Sequence, residues 1–257
     1  MRQVPLTDFL LSDRSTEVTA YLEFLKVAVE RRAVLTAKDG KDGDLVLHLS
    51  LELTHTLKAN LLLLLYSAME ATLIQLLDEM HLAIGNNCFS ADVLNGELLR
   101  VVLKTVKKDK STTMLSSTAP LHKSLFTYWI SDWQSRTSAK EKRVDGISGS
   151  VDSLVFYEQL RKFGVVAPTP DDKPPSHLTS RALQTVKKKR NELAHGETSF
   201  TDLGRDLSVE SLETDSLAVF DTLRNIAAEV DNYLREQRYL AQPPAAAAPP
   251  ETAGTEA

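Results

Sequence analysis

Between Ala59 and Leu77 the chain carries one formal charge, Glu70, and this run constrains everything else that the polypeptide can build. An apolar helix of that length must be covered on most of its sides. A membrane span needs about 20 clean apolar residues, whereas Asn60, Ser67, Glu70, Thr72 and Gln75 interrupt this one. The run therefore predicts the central helix of a bundle, over residues 44–84, in an all-α, antiparallel helical domain. Glu70 falls at helical spacings from Leu63, Tyr66, Leu73, Ile74 and Leu77, surroundings that keep a carboxylate dry. Such a group either leans out at a gap in the bundle or pairs with a cation.

Other elements follow from three- and four-residue apolar steps. A first helix is predicted over residues 16–37, with Val18, Tyr21, Leu22, Leu25, Val29, Ala33 and Leu35 inward, ending at the turn Asp39-Gly40-Lys41-Asp42-Gly43. A third spans residues 91–108, with Val93, Leu94, Leu98, Val101, Val102 and Thr105 inward and Lys104, Lys107, Lys108 and Lys110 at its basic end. A polar loop over 111–118 precedes a helix over 121–134. Its Phe126, Tyr128, Trp129, Ile130 and Trp133 can stack bases, but at this spacing they are better read as packing. Residues 135–149 form a mobile connection, and 151–163 a helix stopped by Gly164. The proline-rich stretch 167–175 cannot be helical. Ser176 or Thr179 is expected to cap the next helix, and Ser208 the last, whose Leu212, Leu217, Phe220, Leu223, Ile226, Ala227, Val230, Tyr233 and Leu234 face inward. This divides the chain into an N-terminal helix and turn (1–43), a helical domain (44–240) and a disordered Pro/Ala-rich tail (241–257).

Composition narrows the function classes. Cys88 is the only cysteine, so no intrachain disulfide and no cysteine-based zinc site is expected, and a reducing cytoplasm fits. No signal-peptide core and no membrane partner are indicated. The net charge of −5 means that any nucleic-acid contact is a local basic patch. His48 and His55 flank Glu52 at a spacing without a catalytic zinc pattern, and no phosphate-binding glycine loop occurs. His81, His122 and His177 read as surface or capping groups. No metal and no cofactor is expected.

The basic patch is Lys187-Lys188-Lys189-Arg190-Asn191-Glu192-Leu193-Ala194-His195-Gly196. Leu183, Val186, Leu193 and Ala194 share one helical stripe with Arg190 at its centre. A guanidinium cannot discharge, so that position needs a carboxylate, a phosphate or an open cleft. Glu70, the ion misplaced in its own apolar surface, is the predicted partner. His195 closes the helix and Gly196 follows its end. A lysine run is ordinarily a solvated face, and a terminal histidine a cap suited to the helix dipole, and spacing alone favours that reading.

Arg190-Asn191-Glu192-Leu193-Ala194-His195 followed by Gly196 resembles the R-x-x-x-x-H signature of HEPN-domain ribonucleases (higher eukaryotes and prokaryotes nucleotide-binding), in the branch found in bacterial toxin and antiviral systems. The likeness extends through Phe200, Gly204 and Arg205 and back to Gly149-Ser150-Val151-Asp152, covering residues 44–240. Glu197 stands two residues after His195, where HEPN toxins neutralised by nucleotidyltransferase antitoxins carry tyrosine, so the resemblance stops short of that partner.

What the resemblance implies is a homodimer whose paired signatures face each other, acting as a metal-independent endoribonuclease, a toxin or antiviral effector. Arg190 and His195 would be catalytic, Asn191 would position His195 or a phosphate, and Lys187, Lys188 and Lys189 would guide the RNA backbone. Two-fold pairing suits the chemistry, because one histidine per chain cannot be both acid and base at once. An antitoxin or defence-complex partner would hold the enzyme in check. The alternatives are a catalytically silent RNA- or nucleotide-binding HEPN module, and a helical interaction subunit presenting Phe126 to Trp133 to a partner.

Overall fold

Helix α1 (Pro5–Glu30) opens the computed structural model, which describes residues 2–30, 34–39, 43–108, 119–136, 150–171 and 173–242. It starts well before residue 16 because two local features support an early start. Pro5 has its φ preset for a first helical turn, and the buried carboxylate of Glu79 accepts from the Leu6 and Thr7 amides and the Thr7 hydroxyl at 2.8, 2.9 and 2.6 Å. Val18, Leu22 and Leu25 face inward as expected, while Val29 is exposed and Ala28 takes its place.

The predicted continuation of that helix to residue 37 is replaced by a hairpin. Strands β1 (Val34–Asp39) and β2 (Gly43–His48) pair antiparallel, Val34 opposite His48 and Asp39 opposite Gly43. Short apolar runs on both sides of a Gly/Asp turn satisfy a two-stranded ladder as readily as a helix. The turn residues 40–42 lie outside the described residues. The central helix α2 (Leu51–Asn87) consequently begins at Ser50, whose hydroxyl accepts from the Leu53 amide, rather than at residue 44.

By length and composition α2 could cross a membrane. Here it is the core helix: Leu61, Leu62, Leu65, Met69, Leu73, Leu76 and Met80 are all buried, and five other helices pack on it. A helical turn at Ala91–Val93 precedes α3 (Gly96–Lys108); Leu94, Leu98 and Val102 face the core, but Val93 is exposed. In α4 (Leu121–Ser135), Phe126, Trp129 and Trp133 are buried, which makes them packing residues and removes the partner surface that they would have formed. His81 joins them, stacked on Trp133 with ring centres 4.1 Å apart, and so is a core group rather than a surface one. The signal was present: His81 follows Leu77 by one turn and precedes Ile84 on the apolar face of α2.

Helix α5 (Ser153–Phe163) ends at Gly164. Next come α6 (Arg181–Ala194), the short α7 (Phe200–Arg205) and α8 (Val209–Arg235). The cap of α6 is Ser180, not Ser176 or Thr179; its hydroxyl accepts from the Ala182 amide, because Ser176 lies in a helical turn of its own, Ser176–Leu178. Ser208 caps α8 as expected. On α8 Leu217 points outward, and Ser216 and Val219 occupy the inner face. The loops at 111–118 and most of 135–149, and the tail from residue 243, lie outside the described residues.

The segment after α6 is fixed by contact with α2. Gly204 lies so close to the His55 carbonyl that an added Cβ would sit 1.8 Å from its oxygen. Ser199 caps α7, and the buried Lys58 amine donates to the Leu207 carbonyl at 2.5 Å. Burial pushes the Lys58 pKa down, with the nearby Asp206 opposing the shift.

Candidate functional site

The signature helix α6 presents three faces, each set by its neighbours. Leu183, Val186 and Leu193 pack into the core, while Ala194, in the last turn, is exposed instead of completing that stripe. Lys189 is turned towards α8, where its charge opposes the upward shift that burial imposes on the Asp215 carboxyl. The third face carries Lys187, Asn191, His195 and Lys188 and adjoins Arg190.

Arg190 is half-buried, with its guanidinium carbon 4.5 Å from the centre of the Tyr66 ring. A π-face attracts a cation without bringing a second charge into the interior. Glu70 is half-buried one turn beyond Tyr66 on α2. The guanidinium also donates to Asn191 Oδ1 at 3.2 Å, which draws it towards the open edge of the helix. Asn191 in turn donates through Nδ2 to Ser150 Oγ at 3.1 Å. Its side chain thus orients Arg190, and its backbone carbonyl accepts from the His195 amide at 2.9 Å.

The stretch before α5 is built onto this helix. Tyr66 Oη accepts from the Val151 amide at 3.0 Å. Asp152 uses one oxygen to cap α5, accepting from the Val155 amide, and the other to hold Lys187 Nζ at 2.6 Å. One ring therefore supports Arg190 on its face and anchors the 150–152 segment through its hydroxyl. Sequence reasoning singled out Ser150, Val151 and Asp152 only through resemblance. Their link to Asn191 and Lys187 needed the fold, and Gly149 lies outside the described residues.

His195 ends α6. The Glu197 amide donates to the Glu192 carbonyl and the Gly196 amide to that of Leu193, the paired closure of a helix end that needs a left-handed residue. Gly196 supplies it with φ 70°. His195 is left exposed, five residues beyond Arg190, or about 7.5 Å along the axis at the usual helical rise. Lys188 is also exposed and lies 3.8 Å from Glu192. Lys187, by contrast, is committed to Asp152. Together the edge offers an oriented guanidinium, an accessible imidazole and an exposed ammonium, which suits holding and protonating a phosphodiester.

A family model described as MAE_28990-like HEPN matches residues 10–239. No curated protein and no solved structure matches the chain.

Proposed function

The chain belongs to the MAE_28990-like HEPN family, and from that premise we propose that it is an endoribonuclease acting without a metal ion at a site shared by two copies. The observation that carries this reading is the order along one edge of α6: Arg190 oriented by Asn191, Asn191 tethered to Ser150, and His195 exposed one turn further on.

Cleavage begins when a base takes the proton of a ribose 2′-hydroxyl. The freed oxygen attacks phosphorus, the bond to the 5′-oxygen breaks, and an acid protonates that leaving oxygen. The products are a 2′,3′-cyclic phosphate and a 5′-hydroxyl. One His195 per chain supplies one of these proton roles; a second copy across a two-fold axis supplies the other. Arg190 grips two oxygens of the charged phosphorane, a geometry that lysine cannot copy. Lys188 steers the backbone without reading sequence. Such an activity would require restraint in a cell, which accords with a toxin or antiviral effector opposed by an antitoxin or held in a defence complex.

A silent RNA-binding module is the second reading. What favours it is the engagement of Arg190 and Lys187 by Tyr66, Asn191 and Asp152 within the chain. Incubating RNA with the purified chain in excess chelator separates the two. The nuclease leaves 2′,3′-cyclic phosphate ends under these conditions, whereas cleavage only after Mg²⁺ addition would contradict the mechanism.

A further inference from the structure

The β1–β2 hairpin stands off the bundle. No helix packs along it among the described residues. Every side chain described in its strands, Val34 to Thr36 and Val46 to His48, is exposed. Leu35 lies directly opposite Leu47, so the two share one face, 48 and 53 % exposed, while Val34, Thr36, Val46 and His48 share the other. A two-stranded hairpin alone is at best marginally stable in water, and a third strand or a packed face is what supports it.

The uncovered surface continues onto both flanking helices. Phe24, Val27 and Val29 are exposed in the last turns of α1, and Leu51 and Leu53 in the first turn of α2, with Leu51 72 % exposed. The two helix ends lie side by side, since the Tyr21 hydroxyl donates to the Leu57 carbonyl at 2.9 Å. Half of the large apolar side chains exposed among the described residues therefore fall within residues 24–53. They present on the order of 700 Å², more than the roughly 300–600 Å² of the largest patch on a typical monomer. That area is close to the ~800 Å² that each partner contributes to a stable interface.

We propose that a second copy of the chain docks at this end of the bundle, with the Leu35–Leu47 face of each hairpin packed on that of the other. A two-fold contact sets one patch against itself, which a charged patch resists and a neutral one permits. Val34 to Thr36, Val46 and Leu47 carry no formal charge, so RNA would find no cation among them. The choice of a second copy rests on the two-copy reading of the α6 edge, and the position suits it. Arg190 stands over Tyr66, and α7, which follows His195, is seated at His55, five residues or about 7.5 Å from the Ser50 cap of α2. The signature helix thus runs towards the hairpin end, and docking there puts the two-fold axis on the side of His195.

Sedimentation equilibrium of the full-length chain without RNA is expected to give twice the chain mass of 28.5 kDa at micromolar concentration. The Leu35→Asp, Leu47→Asp double variant should weaken association by about a hundredfold or more, because both side chains are exposed in the single copy and buried in the pair. Its circular dichroism should be unchanged. Should the double variant unfold, Leu51→Asp, an acidic residue in a first helical turn, should give a smaller loss of the same sign. Phe89→Asp, exposed at the opposite end of α2, should associate as the unaltered chain does. The proposal is overturned by a monomer at every concentration, which would leave the patch to an unlike partner. It is equally overturned by association that needs RNA, by hairpin variants that associate normally, or by an equal loss in Phe89→Asp. RNA cleavage is read separately. A hairpin-dependent dimer that leaves RNA intact removes the nuclease and keeps this interface, and a dimer indifferent to the hairpin removes this interface and keeps the two-copy site.

Discussion

Tyr66 does two jobs with two parts of one side chain, and the substitutions that separate them test the site residue by residue. Tyr66→Phe keeps the ring beneath Arg190 but leaves the buried Val151 amide without its acceptor. Orphaning such a donor costs roughly 1–3 kcal/mol, so the urea midpoint should fall while Arg190 keeps its place. An unchanged midpoint would mean that the 150–152 segment is anchored elsewhere. Ser150→Ala frees one end of the Asn191 amide. If that amide aims the guanidinium, the cleavage rate should drop roughly tenfold, because small misplacements near the chemistry are costly, with little change in RNA affinity. The partner foreseen for the stripe-centre arginine was Glu70; the ring of Tyr66 was not foreseen. The aromatic support sits one turn earlier, and helical periodicity cannot tell which of two neighbouring turns a residue from another helix will meet. Cys88 offers a control: it is buried and burial raises its thiol pKa, so little thiolate forms near pH 8. Alkylation should be slow in the native chain and fast in denaturant.

Among the elements, the central helix and the signature helix were legible because long periodic patterns leave few alternatives. The β1–β2 hairpin was not. Among the side chains described in the two strands, Val34 to Thr36 and Val46 to His48 are all exposed, so these residues show no buried stripe to distinguish them from frayed helix ends. The early start of α1 was equally hidden, because its determinant, Glu79, lies on another helix. Glu79→Gln should lower stability by about 1–3 kcal/mol, since a carboxylate receiving three donors is exchanged for a neutral amide that brings its own N–H groups. Hydrogen exchange should then speed up first at residues 6–8. The short helix after His195 was not among the expected elements. It is a capped helix, α7, seated through Gly204 on the His55 carbonyl. Gly204→Ala cannot fit without backbone movement, and a loss of roughly 3 kcal/mol is expected from overpacking of this severity. A variant as stable as the original would show that α7 can lift away from α2.

At the scale of the whole molecule, the account turns on whether the open edge of α6 performs chemistry or only binds. The fold brings Arg190, Asn191 and Ser150 together and leaves His195 accessible beside them, an arrangement that two copies could share across a common polyanion. The resemblance in the sequence led to the correct family, and the match over residues 10–239 takes in α1 and the hairpin as well as the bundle. The most direct test is to measure, side by side, the RNA cleavage rate and the RNA affinity of the unaltered chain and of His195→Ala. Loss of a proton-transfer group should slow cleavage by roughly 10²–10⁴-fold while affinity stays nearly the same. Undiminished cleavage by His195→Ala would contradict the central claim.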